Sequence, residues 1–142
     1  MDTLLIEDDE VDAEAFKRAL RRAGMPPPMH VATDGREALE FLRSKLAVDG
    51  LPERLVVLLD LNMVGMSGTQ FLDELRADPD LRHTVVFVLT TSKSDRDRER
   101  AYGRCVAGYV SKGDAGRGYE RLIQLLSAYG ETVAFPRLGV TG

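Results

Sequence analysis

Two stretches of this chain are apolar at every position: Leu55 to Leu59 (Leu-Val-Val-Leu-Leu) and Val85 to Leu89 (Val-Val-Phe-Val-Leu). A strand with one wet face alternates polar and apolar residues. An unbroken apolar run belongs to a strand covered on both faces, as in the middle of a parallel sheet. Parallel neighbours cannot be joined by a tight turn and need a crossover, usually a helix. These two runs therefore predict a sheet between layers of helices.

The remaining segments supply those helices and the outer strands. Thr3 to Ile6 reads as a short buried strand. Glu10 to Ala23 carries Val11, Ala15, Phe16, Ala19 and Leu20 at helical spacing, with Gly24 as its stop. Met29 to Ala32 is a strand. Asp34 caps the next helix, with Glu37 three residues on and Ala38, Leu39, Phe41, Leu42 and Leu46 facing inward. Ser67 and Gln70 form a capping-box pattern before Phe71, Leu72 and Leu75, and Pro79 ends that helix. Ser94 to Tyr102 is polar enough to be an exposed helix. Ala107 to Val110 is a last short strand, and Tyr119 to Tyr129 a last helix with Leu122, Ile123, Leu125 and Leu126. Five strands alternating with five helices predict a doubly wound α/β sheet. Residues 1–129 make one domain and 130–142 a tail. Such sheets bind ligands beyond the carboxyl ends of their strands.

Composition narrows the function. A length of 142 residues suits one domain, and 44% hydrophobic with 30% charged residues is the balance of a soluble globular chain. The net charge of −4 disfavours nucleic acid and anionic membranes as partners. No apolar run approaches the ~20 residues that span a bilayer. The start, Met-Asp-Thr, a short apolar run and four acids from Glu7 to Glu10, is unlike a secretory signal. Cys105 is the single cysteine, so no internal disulfide is possible and the cytoplasm is the expected compartment. His30 and His83 suggest no ligand pairing.

The strand ends carry the chemistry. The first ends in Glu7-Asp8-Asp9, the third in Asp60-Leu61-Asn62, the fourth in Thr90-Thr91-Ser92 and the fifth in Ser111-Lys112. If the first and third strands are neighbours, Glu7, Asp8 and Asp60 crowd together. Two like charges 4 Å apart repel by about 4 kcal/mol at an effective dielectric near 20. A hard divalent cation relieves that repulsion, and magnesium uses one or two carboxylates together with waters and phosphate oxygens. The set suits phosphoryl transfer. Asp60 is the candidate nucleophile and Asp8 a direct metal ligand. Glu7 would act through a metal-bound water, and the Asn62 carbonyl would be a third protein ligand. Lys112 and Thr90 would clamp the phosphoryl oxygens. Asp9 and Glu10 read as an ordinary cap and first-turn charge.

From about Thr3 to Tyr129 the chain resembles the receiver domains of bacterial two-component response regulators. The resemblance rests on Leu-Leu-Ile-Glu-Asp-Asp at the start, Leu-Leu-Asp-Leu-Asn-Met at Leu58 to Met63 and Gly-Met-Ser-Gly at Gly65 to Gly68. Val-Leu-Thr-Thr at Val88 to Thr91 and Gly-Tyr-Val-Ser-Lys at Gly108 to Lys112 complete it. Each piece alone is weak; all five in order are specific. The resemblance implies a flavodoxin-like (βα)5 fold with strand order 2-1-3-4-5. It implies that Asp60 accepts phosphate from a sensor histidine kinase with Mg2+ as cofactor (Mn2+ or Ca2+ as substitutes), in a reaction the domain itself promotes rather than turnover of a free substrate. It also implies that Thr90 and Tyr109 couple phosphorylation to the face of the fourth helix, fifth strand and fifth helix.

Two positions depart from the family. Val64 follows Asn62-Met63 where proline is usual, and Gly113 follows Lys112 where a cis proline is usual. A cis bond to a non-proline residue costs about 2.5–4 kcal/mol, so a trans bond is expected here. The departures support a rival reading, a pseudo-receiver that binds partners without switching. A phosphatase would want a second acid where Asn62 stands, and a flavin protein would want a Ser/Thr/Gly-rich first loop. The tail, Gly-Glu-Thr-Val-Ala-Phe-Pro-Arg from Gly130, and the long loop Ala47 to Arg54 resemble stand-alone regulators paired with phytochrome-type kinases. That resemblance implies a homodimer through the same switch face and the tail, where Val133, Phe135 and Leu138 need burial.

Overall fold

The computed structural model describes residues 1–139. The two apolar runs are strands β3 (Leu55–Leu59) and β4 (Val85–Thr90), and every residue of both is buried. They are joined by β1 (Asp2–Ile6), β2 (His30–Ala32) and β5 (Gly108–Ser111) in one parallel sheet of order β2-β1-β3-β4-β5. The expected fold class and strand order are therefore both found.

Period-two geometry divides the strands between two cores. Leu55, Val57 and Leu59 face one side with Leu4, Ile6, Val86 and Val88. There α2 (Gly35–Val48), α3 (Gly68–Ala77) and α4 (Asp95–Tyr102) cover them with Leu39, Leu42, Phe71, Leu72, Leu75 and Ala101. Val56 and Leu58 face the other side with Leu5, Phe87 and Leu89, under α1 (Glu10–Arg22) and α5 (Glu120–Thr132), which bring Phe16, Leu20, Leu122 and Leu126.

Local signals set the helix ends. Asp9 caps α1 by accepting from the N–H groups of Val11 and Asp12. Gly24, at φ 70°, takes the chain out of the helix in a left-handed conformation. Ser67 and Gln70 form the full capping box of α3. Asp34 caps α2, but Glu37 reaches past the cap and accepts from the backbone N–H and hydroxyl of Thr33. Val11 is 73% exposed rather than inward-facing. The buried stripe of α1 runs through Ala13, Phe16, Ala19 and Leu20, and Val11 points to the opposite side of the first turn.

Gly68, the first residue of α3, lies against the end of β3. A Cβ there would sit 2.7 Å from Leu61 Cα and 2.9 Å from the Asp60 carbonyl oxygen. Both are backbone atoms and cannot swing aside. Gly68→Ala is expected to destabilise the domain by about 1–3 kcal/mol, read as a lower urea midpoint; an unchanged midpoint would mean that α3 can move off the strand freely.

The tail folds back on its own chain. Phe135 meets Tyr129 edge-on at 5.5 Å, and Tyr129 meets Phe87 at 5.2 Å. Leu138 packs against the α2–α3 core, and the Gly139 N–H donates to the Asp80 carbonyl. Val133 remains 38% exposed.

Candidate functional site

Parallel pairing decides which side chains meet. Ile6 pairs with Leu59, so the next residues, Glu7 and Asp60, emerge side by side beyond the carboxyl edge. The Asp60 N–H donates to the Ile6 carbonyl, which extends the ladder to that point. Glu7, Asp8 and Asp60 each bring one carboxylate oxygen to within 4.8 Å of the others. Glu7 and Asp60 are buried; Asp8 is exposed at the mouth.

Lys112 reaches across from the end of β5. Its Nζ donates to Glu7 Oε1 at 2.5 Å, to Asp12 Oδ2 at 2.7 Å and to Asp60 Oδ2 at 3.5 Å. One ammonium thus faces a surplus of carboxylates. Burial, and then the hydrogen bond with Asp60, push the Glu7 carboxyl up to about 8 against the pull of Lys112. Burial by itself would lower the Lys112 pKa. The hydrogen bonds to Asp12 and Glu7 and the Asp60 charge outweigh it and raise that pKa above the ordinary lysine range. Glu7 Oε2 is buried with no hydrogen-bond partner. A buried carboxyl oxygen without a hydrogen-bond partner, beside two more acids, is the donor set that a hard divalent cation with its waters satisfies, displacing any proton held there.

The remaining predicted residues lie on or just beyond β3, β4 and β5. The Asn62 N–H donates to Asp60 Oδ1 at 3.1 Å, fixing the carboxylate's orientation. Thr90, fully buried at the end of β4, accepts from the Ser92 N–H at 3.3 Å. Tyr109 donates its hydroxyl to the Ser92 carbonyl at 3.1 Å. Ser92 in turn donates to Asp97 of α4 at 2.6 Å. One residue thereby joins Thr90, Tyr109 and α4. The two family departures are also resolved. No described residue has a cis peptide bond, so Lys112–Gly113 is trans and opens a short 3-10 turn, Lys112–Asp114. Val64, unlike a proline, has an N–H, and it donates to Asp8 Oδ2 at 3.2 Å.

Sequence reasoning missed two residues. Asp12 reads as a first-turn charge on α1, and nothing local announces its bond to Lys112, 100 residues away. Arg76 reads as a last-turn cation on α3. In fact its guanidinium donates to the carbonyls of Arg104, Arg82, Thr84 and Cys105 at 2.7–3.0 Å.

A five-stranded parallel sheet of this order, with three acids and a lysine gathered at its carboxyl edge, is the architecture of a phosphorylation-type receiver. The family model for the response regulator receiver domain matches residues 3–123, and the chain belongs to that family. It is 29% identical to the response regulator Rcp1 of Synechocystis over 134 residues, 94% of this chain and 91% of Rcp1. The Mn2+-bound Rcp1 crystal structure superposes with a TM-score of 0.79 at 28% identity, covering 94% of this chain and 97% of that one. The phosphorylated cyanobacterial phytochrome response regulator RcpA gives 0.77 at 28% identity, covering 95% and 97%. A receiver domain from Rhodospirillum rubrum gives 0.82 at 27% identity, covering 99% and 100%. The chain is thus a receiver-domain response regulator similar to phytochrome response regulators. No helix among the described residues is long and apolar enough to cross a membrane.

Proposed function

We propose that this chain is a magnesium-dependent switch in which Asp60 takes a phosphoryl group from the phosphohistidine of a sensor histidine kinase. The observation that carries this reading is the convergence of Glu7, Asp8 and Asp60 within 4.8 Å, beside the Lys112 ammonium. Asp8 and Asp60, with the Asn62 carbonyl, would hold Mg2+, and Glu7 would hold one of its waters. The bound cation supplies positive charge to the transferring oxygens. The Mn2+ in the Rcp1 structure supports a divalent ion in this pocket.

The Asp60 carboxylate oxygen attacks phosphorus as the bond to the histidine nitrogen breaks. The leaving electron pair returns to the imidazole, which takes up a proton. Lys112 would neutralise the developing charge, a role its 3.5 Å contact with Asp60 supports. Thr90 then swings to donate its hydroxyl to a phosphoryl oxygen and gives up the bond it accepts from the Ser92 N–H. That exchange loosens the Ser92 bonds to Tyr109 and Asp97, and so carries the change to α4 and β5.

The similarity to RcpA and Rcp1 supports a phytochrome-type kinase as partner and a light-sensing pathway. A homodimer would use the α4-β5-α5 face, where Tyr102 and Leu125 are exposed, together with Val133 of the tail. Residues 1–129 would form the receiver and 130–142 the tail that joins this contact. The pseudo-receiver alternative is not favoured, since neither Val64 nor Gly113 draws the acids or Lys112 out of the pocket.

Incubation with Mg2+ and acetyl phosphate should add one phosphoryl group by mass spectrometry, and Asp60→Asn should add none. An unchanged wild-type mass would remove the basis for the proposal.

A further inference from the structure

Lys112 stands at the head of a turn whose next residue, Gly113, offers no ring and no side chain to fix the lysine's direction. A lysine stem has four rotatable carbons and spends much of its freedom when it is held in one place. Yet the side chain is only 12% exposed and its three donors are all engaged. Two of the three acceptors, Glu7 and Asp60, belong to the metal and phosphoryl chemistry proposed above. Asp12 does not. It lies in the first turn of α1, where the Asp9 cap binds its own backbone N–H. Its 2.7 Å bond to Nζ is shorter than the 3.5 Å contact of Lys112 with Asp60.

We infer that Asp12 is a positioning residue for phosphoryl transfer: it holds the Lys112 ammonium beside Asp60 in place of the backbone constraint that Gly113 does not supply. This rests on the reading of Asp60 as phosphoacceptor and of Lys112 as the cation on its phosphoryl group. If Glu7 were engaged with a bound cation and Asp60 carried phosphate, Asp12 would be the carboxylate that still anchors Lys112. Without it the ammonium would be distributed over several positions, and misplacement by about 1 Å can cost up to 100-fold in rate.

Asp12→Asn keeps the side chain's shape on a partly exposed helix face. At saturating Mg2+, we expect its maximal rate of phosphorylation by acetyl phosphate to fall about tenfold, with half-saturating donor concentration little changed. A double-mutant cycle with Lys112→Met separates anchoring from a general field effect. In the Lys112→Met background, Asp12→Asn should change the residual rate less than twofold, because nothing is left to anchor. An equal loss in both backgrounds, or wild-type speed in the single variant, overturns the inference. Failure of wild type itself to take phosphate at Asp60 would instead refute the underlying function.

Discussion

Replacing Arg76 with methionine is expected to destabilise the domain by about 3 kcal/mol, although the residue lies outside the pocket. Its guanidinium joins the last turn of α3 to two loops: Arg82 and Thr84 before β4, and Arg104 and Cys105 before β5. All four acceptors are neutral carbonyls. Burial lowers the Arg76 pKa, and the fan of carbonyl dipoles is what keeps a charge in that place. Methionine fills much of the volume but leaves the part-buried carbonyls of Thr84 and Arg104 without their donor, at about 1–3 kcal/mol each. At about 2–4 °C per kcal/mol for a domain of this size, melting should fall by roughly 10 °C. Arg76→Lys should recover little, because one ammonium cannot spread five donors over four carbonyls. A melting curve for Arg76→Met within 2 °C or so of wild type would show that the loops hold themselves. Cys105, at φ 61°, is the residue whose conformation should relax first.

The second large effect is a reversal of order. In the absence of metal, Asp60→Asn should be more stable than wild type by about 1–2 kcal/mol. It removes one of three crowded carboxylates while an amide oxygen can still accept from the Asn62 N–H. The gain is smaller than bare Coulomb repulsion because Lys112 already offsets part of it and Glu7 can take up a proton. With Mg2+ at about 100 times its dissociation constant, wild type should gain about 2.7 kcal/mol. The variant, lacking the proposed Asp60 ligand, should gain far less. Wild type would then melt above the variant in Mg2+ and below it in chelator. Parallel responses of the two proteins to Mg2+ would mean that the ion does not touch Asp60.

Legibility followed range. The Ser67–Gln70 box and the Asp34 cap were readable because both partners lie within one turn. Even at that distance Glu37 chose Thr33, an equally close competitor. Val11 misled because a helix start shows apolar spacing before it shows which side meets the sheet. The tail's apolar residues announced a need for cover, and Phe135 and Leu138 found it on Tyr129 and the α2–α3 core of the same chain.

By itself the order of apolar runs determined the sheet, because a strand dry on both faces permits few other architectures. The strand-end motifs determined which acids and which lysine would meet, since parallel register puts successive carboxyl ends along one edge. Only the tertiary structure decided what each charged group does with its remaining bonds. Asp12 took Lys112, Arg76 took four carbonyls and Ser92 took both Thr90 and Tyr109. Those choices depend on ångström-scale distances between segments far apart in the chain, and no local periodicity or cap encodes them.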